Sequence, residues 1–261
     1  MSEQKIERQN PPKAQEWIPV TADDVARARR KQYLRWSGLA IALLLAGWFF
    51  YKRVSDPQEA RQAYEAGVKL SSNARYQEAI LNYNRTLSLS SDFVEAYRMR
   101  GRAYLAEGDA AQAIANLSNV VKLAPKDASA YVERGFIYLD QKDYAKAVAD
   151  ANQALVTNPQ MARACNLRAR AVRAGGNPSG AMADFTRAVE LEPSLDNFIQ
   201  RAITYQMLNQ HALAVGDLDR AVEIAPDQPP TFFARSRSKT ALGDATGARA
   251  DFVTGRRLDG F

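Results

Sequence analysis

From about residue 57 onward, apolar residues recur every three or four positions in stretches of about fourteen residues, each closed by a short polar turn. That spacing predicts amphipathic helices, and turns such as Glu107-Gly108-Asp109 and Gly175-Gly176-Asn177 predict that the helices fold back in pairs. The pairs repeat. At a period of 34, Gly67, Gly101, Gly135 and Ala169 share one column, Ala79, Ala113, Ala147 and Ala181 a second, and Pro125, Pro159 and Pro193 a third. After Pro193 the period drops once to 33, in the loop before Asp196, and the register resumes with Ala202, Ala214 and Pro226. A more divergent copy follows, with Ser236, Ala248, Phe252 and Gly260 in those places. Six units result, at 57–91, 92–127, 128–161, 162–194, 195–228 and 229–261.

One helical pair cannot bury both of its faces, so units of this kind must stack. Small residues such as Gly135 and Ala147 let two helices approach, while Tyr131, Tyr138 and Ala154 fill the remaining space. The clearest copy carries Tyr131, Arg134-Gly135 and Tyr138, then Ala147, Ala151 and Pro159. This resembles the tetratricopeptide repeat family, whose pattern runs W-x2-L-G-x2-Y, A-x3-F and P. The resemblance covers roughly residues 57–261 and implies an all-α solenoid of about six helical hairpins that binds protein or peptide in a groove lined by the first helix of each hairpin.

The chain ahead of the repeats reads differently. Residues 1–20 hold Pro11, Pro12 and Pro19 among polar side chains and predict a disordered tail, with Trp17-Ile18-Pro19-Val20 its one apolar cluster. Thr21 and Asp24 resemble a capping box that opens a basic helix over 21–35. Trp36–Tyr51 has no charge, and with its flanks to Val54 predicts a single transmembrane anchor over 36–54. Arg27, Arg29, Arg30, Lys31 and Arg35 before the span outnumber Lys52, Arg53 and Arg61 after it. That bias predicts a cytoplasmic N-terminus and periplasmic repeats, as in a bacterial inner-membrane protein. Asp56, Pro57 and Glu59 then restart a helix close to the bilayer.

Charge narrows the function. Of 35 Lys and Arg and 29 Asp and Glu, residues 1–56 hold 10 and 6, leaving 25 and 23 for the repeats. The basicity is therefore concentrated near the N-terminus, and a nucleic-acid partner is not expected. Catalysis needs a nucleophile with its base, a metal cluster or a phosphate loop. The chain has one His and one Cys. His211 and Cys165 read as packing residues, Gly175 to Gly180 as an interhelical turn, and neither enzyme activity nor a cofactor is expected.

Two charge patterns recur. Arg100, Arg134, Arg168, Arg201 and Arg235 occupy one column, and Asp150, Asp184, Asp217 and Asp251 another, with Asn82 and Asn116 at its head. Their constant spacing predicts ties between the two helices of each hairpin rather than an anion-binding stripe. The second pattern comes from helical geometry, which turns places 2, 5, 9 and 12 of each first helix away from its partner helix. Those places hold Arg98 and Arg102; Val132, Phe136 and Leu139; Arg163, Asn166, Arg170 and Arg173; Ile199 and Ile203; and Phe233 and Arg237. With Arg61 the face carries seven arginines against Glu95 and Asp196. These residues form the candidate groove, and an acidic segment with apolar anchors is its expected partner. The family's carboxylate-clamp arrangement of Lys and Asn is not reproduced here.

The expected function is a membrane-anchored interaction scaffold on the periplasmic side. The alternatives are a cytoplasm- or organelle-facing receptor for chaperones or cargo, and a self-assembling structural protein that would form a homo-oligomer.

Overall fold

The computed structural model describes residues 21–23, 25–27, 29–30 and 57–260. The chain divides into two compact units, 1–56 and 57–261. In the first, the described residues between 22 and 30 are helical and exposed.

The described residues of the second unit pair into hairpins. The first consists of α1 (57–72) and α2 (Tyr76–Leu89), and the second of α3 (Val94–Ala106) and α4 (Ala110–Leu123). The third is α5 (Ala128–Asp140) and α6 (Tyr144–Thr157), and the fourth α7 (Ala162–Ala174) and α8 (Pro178–Leu191). The fifth is α9 (Leu195–Met207) and α10 (His211–Ile224), and the sixth α11 (Pro229–Ala241) and α12 (Ala245–Leu258). From α2 to α12, each helix packs on the next.

Local chemistry sets these boundaries. The side chains of Asp109, Asp143, Asn177 and Asp244 each accept a backbone N–H three residues on, capping the second helices. One residue in each intervening turn has positive φ: Ala74, Gly108, Lys142, Gly176, Asn209 and Gly243. The first helix thus ends in a left-handed residue that returns the chain at once, a conformation glycine adopts freely and Ala74 and Lys142 adopt at a cost.

The alanine column forms the centre of each hairpin: Ala79, Ala113, Ala147, Ala181 and Ala214 have no exposed surface, and Ala248 is buried. A Cβ added at Gly135 would lie 2.5 Å from Leu167 Cδ2, so this glycine admits a leucine from the next hairpin. Cys165 is buried, and burial raises its thiol pKa.

The expectation of a transmembrane helix ahead of the array is corrected. Among the described residues no helix is long and apolar enough to cross a membrane. Helices α2 to α12 run 13 or 14 residues, about 20 Å against a hydrocarbon core of about 30 Å, and all carry polar faces. Residues 36–54, assigned above to the anchor, lie outside the described residues, as do 1–20. The fold class is the all-α solenoid, with no transmembrane helix among the described residues. The bilayer as partner, the bacterial inner-membrane kinship and the periplasmic placement rested on that anchor and are withdrawn with it.

Candidate functional site

The recurring arginines are structural ties. Arg134 donates to both carboxylate oxygens of Asp150, at 2.9 and 2.6 Å, and Arg168, Arg201 and Arg235 bind Asp184, Asp217 and Asp251 in the same two-pronged way. In three of them the third nitrogen reaches the preceding hairpin: Arg134 donates to Ser118, Arg168 to Asn152 and Arg235 to Asp219. Arg100 repeats the geometry with amide acceptors, Asn116 at 2.7 Å and Asn84 at 2.6 Å. Arginines held in this way are committed to the array and are not free to bind an anion.

The first helices of successive hairpins also touch one another directly, α5 with α7, α7 with α9 and α9 with α11. They line the tighter side of the stack, and this contact decides what the candidate groove exposes. Val132 and Leu139 are buried in one cluster with Ala164, Leu167 and Ala171 of α7. Asn166 is 2% exposed and donates to Asn197 Oδ1 at 2.7 Å and Asp196 Oδ2 at 3.2 Å. These three side chains join neighbouring hairpins instead of facing a free groove.

Several of the arginines on this face are already partnered. Arg98 binds Asp127 and Glu133, and Arg102 donates to both oxygens of the same Glu133 at 3.1 and 2.7 Å. Burial would raise the Glu133 pKa, but hydrogen bonds and charge from Arg102 and Arg98 outweigh it and hold the carboxyl below its usual range. Arg173 donates to the backbone oxygen of Gln200 at 2.8 Å and its side chain at 2.6 Å; burial, and then neighbouring Arg170, lower its pKa. Arg237 is exposed and reaches Gln206, and Ile199 and Ile203 are half-buried. Phe233 packs on the second helix of its own hairpin, its ring 5.8 Å from that of Phe252 in the space left by Gly255.

The remaining candidates converge on one ring. The guanidinium groups of Arg163 and Arg170 lie 5.3 and 5.4 Å from the centre of Phe136. Among the described residues neither arginine makes an ion pair. Phe136 lines two cavities. One, of about 290 Å³, has apolar walls of Leu105, Leu117 and Ile137 with Arg102 and Glu133 at the rim. The other, of about 420 Å³, is polar, bordered by Asn166, Arg170, Glu192, Asp196 and Asn197. Arg163 lines both.

Sequence reading misses Glu133, Asp127, Glu192 and Asn197. Glu133 occupies the place after Val132 and so falls outside the four chosen places. Its signal is the spacing of 31 and 35 residues to Arg102 and Arg98, either side of one repeat period. Among the described residues no three His, Cys, Asp or Glu side chains are grouped to hold a metal ion.

Residues 68–128, 98–158 and 134–196 each match the family model described as tetratricopeptide repeat. Residues 68–196 are thus similar to tetratricopeptide repeats. The fifth and sixth hairpins of the array continue the same helix lengths and the same Arg–Asp tie. The array is similar to solved structures of PilF from Pseudomonas aeruginosa (13% identity, TM-score 0.68, covering 78% of this chain and 93% of that one) and of MamA (18%, 0.57, 65% and 93%). It is also similar to YrrB, described as a TPR protein with an unusual peptide-binding site (21%, 0.56, 71% and 97%). No curated protein matches the chain. The array has the fold of these tetratricopeptide repeat structures.

Proposed function

We propose that the array is an adaptor that holds a partner protein through an extended segment lying across the first helices of the second to fifth repeats, with Phe136 at the centre. The observation that carries this reading is the Phe136 ring, which lines an apolar and a polar cavity, with Arg163 and Arg170 over it, both without an ion pair among the described residues. Two unneutralised guanidinium groups beside a half-buried aromatic ring suit a carboxylate next to a large apolar side chain. The apolar cavity is of the size to accept one such side chain. The structurally similar YrrB has a peptide-binding site, which supports a peptide as the ligand here.

The reading is narrower than the thirteen-residue groove expected from the sequence. Arg98, Arg102 and Arg173 are engaged within the array and serve as its walls, leaving Arg163 and Arg170 to face the ligand. A library of random dodecapeptides panned on the full chain tests this. Retained peptides should pair an acid with a large apolar residue and be lost on Phe136→Ala, with helicity unchanged by circular dichroism. Equal retention by Phe136→Ala would place binding elsewhere.

A further inference from the structure

The polar cavity holds opposite charges that do not meet. Its lining includes Arg163 and Arg170 of α7, Glu192 at the end of α8 and Asp196 in the first turn of α9. Among the described residues neither Arg163, Arg170 nor Glu192 forms an ion pair. Asp196 accepts Gln200 Nε2 and Asn166 Nδ2, both at 3.2 Å, which leaves its carboxylate with capacity for further donors.

Asn166 shows what is wanted beside Asp196. Its orientation is fixed by its neighbours: Asn197 donates its own amide to the backbone oxygens of Ala188 and Glu192, so it can only offer Asn166 an oxygen. Asn166 must therefore direct its nitrogen to Asn197 and Asp196. Its Oδ1 is buried with no hydrogen-bond partner. An unsatisfied buried acceptor is rare and costly, and here it belongs to a side chain lining a cavity beside two carboxylates. A donor carrying positive charge satisfies the amide oxygen and the carboxylates together.

We infer that this cavity takes a basic side chain, a lysine ammonium or arginine guanidinium, of the segment whose acid lies on Arg163 and Arg170. The inference rests on the groove reading above. It adds a polarity to the ligand: the acid lies over α5 and α7, and the base over the start of α9. A segment bearing only acids leaves Asn166 unsatisfied and meets Glu192 and Asp196 as like charges, so the cavity discriminates against uniformly acidic chains.

The test uses the peptides retained by the full chain in the panning described above, and two double variants, Glu192→Gln with Asp196→Asn and Arg163→Gln with Arg170→Gln. Wild-type peptides should carry a Lys or Arg within a few residues of their acid. Replacing that base with Met should weaken binding to the wild type at least tenfold and leave binding to the Glu192→Gln, Asp196→Asn variant nearly unchanged. The Arg163→Gln, Arg170→Gln variant should lose discrimination at the acid and keep it at the base. Peptides that depend on Phe136 but show no basic preference, or a base whose replacement weakens both proteins equally, would overturn the inference and leave the groove reading standing. Failure to retain any Phe136-dependent peptide would sink both.

Discussion

Arg134 grips both oxygens of Asp150 across the third hairpin while its remaining terminal nitrogen donates to Ser118 Oγ of the second, at 3.0 Å. One side chain therefore couples three helices. The Asp150 side chain is 6% exposed and that of Arg134 16%, so loss of either partner strands a charge in a poorly solvated place. Arg134→Ala and Asp150→Ala should each destabilise the array by about 3–5 kcal/mol. The double variant should lose less than the sum, with a coupling of about 0.5–3 kcal/mol by urea unfolding. The same cycle on Arg168 and Asp184, where the arginine is twice as exposed, should give a smaller coupling. Strict additivity would mean the pair does not act as a unit.

The interhelical turns make a second prediction. Lys142 has φ of 62° and Ala74 57°, at positions where Gly108, Gly176 and Gly243 stand in other hairpins. A side chain in that region costs about 1–2 kcal/mol, and glycine's extra freedom in the unfolded chain returns about half of it. Lys142→Gly should therefore stabilise by about 0.5–1 kcal/mol. Gly176→Ala should destabilise by a similar or larger amount, and a melting series on both variants would check the pair.

Glu133 predicts the pH dependence. Burial raises its pKa, but the stronger opposing pull of Arg102 and Arg98 leaves it depressed. A depressed carboxylate contributes stability that is present above its unfolded value of about 4.3 and lost as pH falls through the folded value. The unfolding free energy should thus decline from about pH 5 toward pH 3, and Glu133→Gln should make that decline shallower. Asp251, whose burial is likewise outweighed by Arg235 and Lys239, adds to the same window. An unaltered pH profile in Glu133→Gln would show that the carboxyl is not held by its arginines.

Binding kinetics give the fourth. Arg170 lies beside Phe136 without an ion pair, so its charge should act on encounter, whereas the ring should act on lifetime. Arg170→Glu should slow association of a retained peptide and reduce its salt sensitivity. Phe136→Ala should speed dissociation with little change in salt dependence. Stopped-flow measurements at two ionic strengths separate these effects, and a reversed assignment of the two rates would refute the division of roles.

The period of 34 by itself determined the helical hairpins, their glycine and alanine contacts, and the link from Arg134 to Asp150. These two residues stand sixteen apart inside one hairpin, whose geometry is set by local capping, turn conformation and a shared alanine core. The groove was less legible. Helical periodicity gives the direction of a side chain relative to its own partner helix, but not the rotation between one hairpin and the next. That rotation brings α7 against α5 and buries Val132 and Leu139, turns Asn166 toward Asn197, and carries Glu133 between Arg98 and Arg102. It leaves Phe136 and Arg163 at both cavities and Arg170 at the polar one. Which arginines are spent on the array and which remain for a partner depends on contacts about one repeat apart, and these were decided by the stacking of whole hairpins.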